Sequence, residues 1–250
     1  MNETITQFFK NYGVECRMPL VALFDMDGVL YDSMWNHAYS WQESMKHYGI
    51  HMTEMDAFKY EGMRGVETIQ HITLQQRGKA VSDEEAAEMY RYKSKQYAAR
   101  GVAPMIPGVH KLQEAMHNHN MMIGVVTGSG QPTLLSRIMD DFSGLVNDDV
   151  IVTANDVKQG KPEPDPYLMG MQKATIKLRQ EGKLKYDESL QPWQTVVIEN
   201  APLGIKAAKA AGCLTIAVNT GPLPDSLLKE AGADAVVKTM NDARLLLFNK

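Results

Sequence analysis

Six short apolar runs, most of them separated by helical patterns, constrain the fold of this 250-residue chain more than any other feature of its sequence. The runs occupy positions 20–24, 121–126, 150–153, 195–198, 213–218 and 235–237. Continuous apolarity over about five residues is typical of a strand that is buried on both faces, as in a parallel sheet. Strands that alternate with helices form right-handed crossover connections. The pattern therefore predicts an α/β fold built on a doubly wound parallel sheet.

Residues 33–103 interrupt this alternation directly after the first predicted strand. They contain no convincing strand and four helical patterns, at 34–48, 53–60, 66–77 and 82–99. Pro104 and Pro107 mark the return of the chain to the alternating pattern. We therefore predict a helical cap domain at 33–103, inserted into a Rossmann-like core that comprises residues 1–32 and 104–250.

Charge and cysteine content exclude several classes of protein. The formal net charge of −4 gives no global attraction to nucleic acid or to an anionic membrane. Two cysteines, Cys16 and Cys213, cannot form a disulfide framework. Residues 1–19 lack the pattern of a signal peptide, and no apolar run reaches the ~18 residues of a transmembrane helix. We expect a cytoplasmic monomer that binds neither nucleic acid nor membrane, and we assign no role to residues 1–19.

Four polar clusters lie just beyond predicted strands of the sheet. They are DMDG at 25–28, TGSG at 127–130, GKPEPD at 160–165 and ENAP at 199–202. Each cluster alone is more readily explained as a turn, a loop or a helix cap. Open parallel sheets bind ligands beyond the carboxyl ends of their strands, where all four clusters would meet. Their order and placement together therefore indicate a single site.

The carboxylates of these clusters suit phosphoryl transfer. Asp25 and Asp27 lie two residues apart, so on an extended chain both side chains project to the same side. One carboxylate could attack phosphorus while the other donates a proton to the leaving oxygen. Asp25, Glu199 and Asn200 offer the hard oxygen ligands that Mg²⁺ prefers. We therefore predict a magnesium cofactor at this site.

The remaining polar residues suit the binding of a phosphoryl group. Lys161 would hold the nucleophile and the phosphate through its positive charge. Thr127, Ser129 and nearby backbone N–H groups would bind phosphoryl oxygens, and Gly128 would allow the backbone to approach closely. These side chains predict a small phosphorylated molecule as the substrate.

The motifs LFDMDGVL, VVTGSG, GKPEPDPY and VIENAPLGIKAAKAAG resemble, in this order, the four motifs of the haloacid dehalogenase-like (HAD) superfamily. The helical insertion is similar to the α-helical cap of its β-phosphoglucomutase-like subfamily, and the resemblance covers residues 20–238. It implies that Asp25 is the nucleophile that forms an aspartyl-phosphate. It implies that Asp27 is the general acid and base, and that its backbone carbonyl binds Mg²⁺. Thr127 and Lys161 would bind the phosphate and balance its charge.

Two features distinguish this sequence within the subfamily. The fourth motif usually reads Glu-Asp, whereas here it reads Glu199-Asn200, which offers the metal a neutral oxygen. The segment YEGMRG at 60–65 resembles the substrate-specificity loop of the cap, which would place Glu61, Arg64 and Gly65 against the substrate. Together these features are similar to a Bacteroides-type branch of inorganic pyrophosphatases.

The resemblance implies a Mg²⁺-dependent phosphohydrolase, with pyrophosphate as the leading substrate and small phosphomonoesters next. A phosphosugar mutase of the β-phosphoglucomutase type shares every core residue and stays the alternative. A protein without catalytic activity is disfavoured, because a dead site has no physical need for Asp25, Asp27, Thr127 and Lys161 together. A dehalogenase dispenses with the second aspartate, so Asp27 disfavours that activity.

Overall fold

A computed structural model describes residues 3–130 and 132–248, and in this part of the chain six parallel strands form one sheet. The strands are β1 Val21–Phe24, β2 Met122–Val126, β3 Val146–Val152, β4 Thr195–Glu199, β5 Leu214–Val218 and β6 Ala235–Val237. Their order across the sheet is β3-β2-β1-β4-β5-β6, and every neighbouring pair is parallel. The α/β class and the doubly wound parallel sheet that the sequence predicts are confirmed.

Helices flank the sheet and fill the interval between β1 and β2. In the described residues they are α1 Glu3–Asn11, α2 Met34–His47, α3 Glu54–Lys59, α4 Gly65–Arg77, α5 Asp83–Ala98, α6 Val109–Asn118, α7 Pro132–Asp141, α8 Asp165–Gln180, α9 Pro202–Ala210, α10 Asp225–Glu230 and α11 Met240–Phe248. We call α2–α5 the cap helices. The domain boundaries at 33 and 103 stay a prediction. Residues 1, 2, 131, 249 and 250, which that prediction assigns to the core, lie outside the described residues.

Burial explains which strands the sequence reveals. Every residue of β1, β2, β4 and β5 is buried, which requires continuous apolar runs with few polar side chains. The edge strand β3 begins at Val146, four residues before its predicted start. Its first half includes Asn147, Asp148 and Asp149, which an edge strand can direct to solvent. An apolar run therefore marks only the second half of β3.

The amino-terminal segment is the main element that sequence analysis missed. Helix α1 buries Ile5, Phe8 and Phe9 in the cluster that covers one face of the sheet. These residues follow the i, i+3, i+4 spacing of an amphipathic helix, but the pattern is too short to stand out among polar neighbours. The Phe9 ring lies 6.5 Å from that of Trp193, so α1 is packed on the core.

The cap helices pack on the carboxyl edge of the core through apolar contacts. Trp41, Phe58 and Ile69 belong to the same buried cluster as Ile205 of α9 and Leu228 of α10. This packing holds the cap helices over the ends of the strands, where the polar clusters lie. Among the described residues, every helix is too short or too polar to span a lipid bilayer. The cytoplasmic location and the monomeric state stay predictions.

Candidate active site

The reversal of strand order at β1 positions the site. Strand β1 lies between β2 and β4, and such a switch point opens a crevice beyond the carboxyl ends. Asp25 follows β1 directly, and its backbone N–H donates a hydrogen bond to the Ile198 carbonyl of β4 at 3.0 Å. Thr127 follows β2, and Glu199 is the last residue of β4. All three side chains are buried at this edge of the sheet.

Lys161 is the centre of a buried ion-pair network. Its Nζ lies 2.5 Å from Asp25 Oδ1 and 2.7 Å from Glu199 Oε1. Burial by itself would lower the pKa of Lys161, but the two carboxylates hold that pKa well above its usual value. The lysine therefore stays protonated and presents a fixed positive charge beside Asp25. This placement agrees with the role predicted for Lys161.

Glu199 holds the lysine instead of facing open space. Its Oε1 accepts hydrogen bonds from Lys161 and from the Tyr167 hydroxyl, the latter at 3.0 Å. Its Oε2 accepts the backbone N–H groups of Asn200 at 2.8 Å and Ala201 at 2.9 Å. Both oxygens are thus occupied within the protein. The metal role of Glu199 stays a prediction.

Asp25 is surrounded by more negative than positive charge. Burial raises its pKa, Glu199 and Asp27 raise it further, and Lys161 lowers it, so that the value is about 7. The ionised carboxylate of Asp25 is the species that attacks phosphorus. Additional positive charge beside Asp25 would favour this ionised form. A bound cation would supply that charge.

Asp27 belongs to a chain of polar groups that reaches into the cap helices. Its Oδ1 accepts a hydrogen bond from Ser33 Oγ at 2.5 Å and lies 3.1 Å from His37 Nε2. Lys93 Nζ lies 2.7 Å from the other ring nitrogen, Nδ1. Because a protonated lysine only donates, Nδ1 accepts, and the proton of the neutral ring is on Nε2, which donates to Asp27. Burial and Lys93 lower the pKa of His37, which keeps the ring neutral.

The same chain keeps Asp27 ionised. Burial alone would raise the pKa of Asp27, but His37, Ser33 and Lys93 lower it below its ordinary value. His37 and Lys93 are candidate functional residues that sequence analysis missed. His37 lies on α2 and Lys93 on α5, and only the packing of these helices joins them. The spacing of Ser33 and His37, one helical turn apart, is the local signal that could have revealed His37.

Glu61 reaches the site from the loop that joins α3 to α4. It helps to enclose a cavity of about 40 Å³ between the cap helices and the core. The cavity walls include Asp27, His37, Glu61, Lys93, Gly128 and Ser129. Burial raises the pKa of Glu61 to about 8, with further contributions from Asp27 and Asp25, although Lys93 and Lys161 lower it. A protonated Glu61 can donate a hydrogen bond to an anionic substrate.

The raised pKa of Glu61 predicts how stability depends on pH. The pKa of this carboxyl group is 4.5 in the unfolded chain and about 8 in the folded protein. The group therefore contributes its full stabilisation below pH 4.5. That contribution is lost as the pH rises through 8. In chelator, Glu61→Gln should therefore melt at a higher temperature than the wild type at about pH 9, and at the same temperature at about pH 4.

Thermal unfolding across this pH range tests the prediction. Glu67→Gln is the matched control, because Glu67 lies on α4 in the cap helices and is absent from the cavity walls beside Asp27. Its melting curve should follow that of the wild type at each pH. If the melting temperatures of Glu61→Gln and the wild type change with pH in parallel, folding does not raise the pKa of Glu61 and the prediction is wrong.

The loop after α3 packs directly on the two segments that are predicted to bind phosphate, those of Thr127 and Lys161. Gly62 has a φ of 89°, and a Cβ at this position would lie 2.8 Å from Cδ of Lys161. A Cβ on Gly128 would lie 3.2 Å from the Gly62 carbonyl oxygen. Thr127 Oγ1 accepts the backbone N–H of Ser129 at 3.0 Å, which shapes the turn that follows β2. Lys161, Thr127, Gly128 and Ser129 are thus brought together beneath the cap loop.

Arg64 lies outside this cavity. Its Nη2 donates hydrogen bonds to the backbone carbonyls of Val157 and, at 3.4 Å, Ala154. Gly65 begins α4 and packs on Tyr90, whose Cε2 would lie 2.0 Å from a Cβ at this position. Arg64 instead lines a neighbouring cavity of about 10 Å³ together with Thr127, Gly128 and Lys161.

The donor set fits a magnesium ion. Asn200 Oδ1 is buried and accepts no hydrogen bond from the described residues. Gly28 has a φ of 79° and leaves room for the Asn200 side-chain amide. A Cβ on residue 28 would lie only 2.0 Å from Nδ2 of Asn200. Within 3–130 and 132–248, no three His, Cys, Asp or Glu side chains converge as a metal cluster. The ligands implied for Mg²⁺ are instead the Asp25 carboxylate, the Asn200 amide oxygen and the backbone carbonyl of Asp27.

Comparison with known proteins agrees with this geometry. The family model described as haloacid dehalogenase-like hydrolase matches residues 22–218. Hexitol phosphatase A of Escherichia coli (strain K12) is 32% identical over 197 residues, which cover 79% of this chain and 82% of that protein. β-Phosphoglucomutase of Bacillus subtilis (strain 168) is 25% identical over 237 residues, 91% of this chain and 93% of that one.

A solved structure gives the same picture. A Bacteroides vulgatus protein, provisionally named β-phosphoglucomutase, is 38% identical to this chain with a TM-score of 0.85. The match covers 97% of this chain and 93% of that one. The similar proteins thus carry the names of phosphatases and of a phosphosugar mutase.

Proposed function

Because this chain belongs to the haloacid dehalogenase-like hydrolase family, we propose that Asp25 and Asp27 carry out its phosphohydrolase chemistry on a small phosphorylated substrate. The resemblance to the β-phosphoglucomutase-like proteins is confirmed. The observation that carries the proposal is the buried contact of 2.5 Å between Lys161 Nζ and Asp25 Oδ1. A carboxylate held beside a fixed cation is oriented and charged for attack on phosphorus.

In the first step, a carboxylate oxygen of Asp25 bonds to phosphorus while the bond from phosphorus to the leaving oxygen breaks. Lys161, Thr127 and Ser129 contact the transferred phosphoryl group and balance its charge. In the second step, a water molecule bonds to phosphorus while the bond from phosphorus to the Asp25 oxygen breaks, and Asp27 removes the proton of the water and passes it to solvent. The products are inorganic phosphate and the free carboxylate of Asp25.

Mg²⁺ would be held by Asp25, by the backbone carbonyl of Asp27 and by Asn200, and its charge would offset that of the carboxylates and the phosphoryl group. The charge of the site supports this assignment. Four carboxyl groups, those of Asp25, Asp27, Glu61 and Glu199, face the ammonium groups of two lysines. Burial raises the pKa values of Asp25 and Glu61, and the neighbouring carboxylates raise them further.

Two observations support pyrophosphate as the substrate. Asp27 is held ionised, so it has no proton to donate to an alkoxide leaving group, whereas phosphate is a weaker base and leaves without one. Glu61, with its pKa near 8, can donate a hydrogen bond to the leaving phosphate.

A phosphosugar mutase of the β-phosphoglucomutase type is the second candidate. It is favoured by the names of the Bacillus subtilis and Bacteroides vulgatus relatives. A mutase returns the phosphoryl group from Asp25 to a sugar before water reaches it. It therefore releases little phosphate and needs a sugar bisphosphate as a primer.

Phosphate release with Mg²⁺ from pyrophosphate, hexose 6-phosphates, β-glucose 1-phosphate and p-nitrophenyl phosphate tests the proposal. We expect a kcat/KM for pyrophosphate of ~10⁴ M⁻¹s⁻¹ or more, far above that of the esters, because that is the range of working enzymes. Glu61→Gln should lower pyrophosphate hydrolysis more than ester hydrolysis. Conversion of β-glucose 1-phosphate only after addition of a bisphosphate primer, with poor release from every substrate, would instead identify a mutase.

A further inference from the structure

Arg64 joins the cap helices to the loop that carries Lys161. We call residues 153–164, between β3 and α8, the lysine loop, and residues 60–64, between α3 and α4, the cap loop. Arg64 Nη2 donates to two carbonyls of the lysine loop, those of Val157 and Ala154. These hydrogen bonds connect residues about 90 positions apart in the sequence.

The contacts around Arg64 enclose the lysine from two sides. The aliphatic part of Arg64 packs on Gly160, where an added Cβ would lie 3.1 Å from Cγ of the arginine. Gly62 packs on the other side, against the Lys161 side chain. The cap loop therefore contacts both Lys161 and the residue before it.

The core holds the lysine loop at its first part and through the Lys161 side chain, which reaches Asp25 and Glu199. Asp156 Oδ2 accepts the backbone N–H of Thr153 at 2.8 Å and its hydroxyl at 2.6 Å. Asp156 Oδ1 accepts a hydrogen bond from Lys173 of α8 at 2.7 Å. Among the described residues, the hydrogen bond to the Val157 carbonyl comes from Arg64 alone. The loop backbone at Val157 thus depends on the cap loop for this hydrogen bond.

We propose that Arg64 is a positioning residue that fixes Lys161 beside Asp25 when the cap loop is docked. The guanidinium is always charged, and its Nη2 donates to the two protein carbonyls, whereas Nη1 lies 3.9 Å from Glu67 and Nε has no hydrogen-bond partner among the described residues. Docking of the cap and placement of the lysine are therefore coupled. Only the kinetic part of this proposal rests on the proposed function.

Hydrogen exchange measured by mass spectrometry tests the coupling without reference to activity. Arg64→Met keeps the aliphatic part of the side chain and removes the donors. It should speed exchange in residues 154–161 by on the order of tenfold, because the loop opens more often. Arg77→Met is the matched control, since Arg77 also donates to a backbone carbonyl, that of Tyr48 at 2.6 Å, but within the cap helices. It should leave exchange in residues 154–161 unchanged.

Steady-state kinetics on the best substrate of the panel complete the test. We expect kcat of Arg64→Met to fall by on the order of tenfold with KM within about twofold, as the loss of hydrogen bonds from a charged donor predicts. Arg64→Lys should recover part of kcat, because its ammonium keeps a positive charge and hydrogen-bond donors on a long side chain. Unchanged exchange in Arg64→Met, or a loss confined to KM, would overturn the proposal. If no substrate is turned over, the proposed function fails while the exchange result still decides the coupling.

Discussion

Asp25→Asn should lower the rate of phosphate release by on the order of 10⁴ or more, as does the loss of an attacking group in other covalent mechanisms. Two other carboxyl groups of the site are held by neighbouring protein groups. Asp27 is hydrogen-bonded to Ser33 and lies beside His37, and both oxygens of Glu199 are occupied within the protein.

The substitution is a clean test because asparagine has nearly the shape of aspartate. Its amide oxygen can still accept the hydrogen bond from Lys161, so the fold should persist. Asp149→Asn is the control, since Asp149 is an exposed residue of β3 whose carboxylate pairs with Lys177. That control should retain the wild-type rate. A rate for Asp25→Asn within tenfold of the wild type would remove Asp25 from the covalent step.

Lys161→Met should lower both activity and stability. The substitution removes the cation and leaves Asp25 and Glu199 buried without it, at 4% and 1% exposure. Removal of one partner from a buried ion pair costs about 3–5 kcal/mol of unfolding free energy. The rate should fall by roughly 10³, because a fixed charge at the reacting group is lost. Denaturant unfolding and phosphate release measure the two effects.

Two further variants separate the effect of charge from that of packing. Lys173→Met removes a lysine that is paired with Asp156 at 2.7 Å but is partly exposed, so its cost should be about 1 kcal/mol or less. Adding Glu199→Gln to Lys161→Met removes one uncompensated carboxylate and should restore part of the stability without restoring the rate. Equal destabilisation by Lys161→Met and Lys173→Met would show that the buried network contributes little.

The sheet and its strand-end residues could be predicted because both signals are local. A strand buried on two faces needs an apolar run, and the residue after such a run lies at the carboxyl edge. Asp25, Thr127 and Asn200 are therefore identifiable from the residues beside them. The sequence signal for Lys161 is less local, because this residue lies in a loop beyond β3. Its prediction came from the GKPEPDPY motif.

The contributions of the cap could be predicted only in part. Glu61 was recognised from its loop, and the structure does place it at the cavity. The pairing of His37 with Lys93 depends on how α2 packs against α5, which no short pattern encodes. The direction of the Arg64 side chain depends on the distance between the cap loop and the lysine loop. Tertiary packing, not local sequence, decides these positions.

Detection of a phosphoryl group on Asp25 tests the central claim most directly. The Mg²⁺-loaded enzyme would be mixed with pyrophosphate or p-nitrophenyl phosphate, quenched in acid within milliseconds, and digested for mass spectrometry. Fragmentation should place one phosphoryl group on Asp25 and not on Asp27, and Asp25→Asn should carry none. A phosphoryl group on another residue, or none at any time while phosphate is released, would contradict an aspartyl-phosphate mechanism.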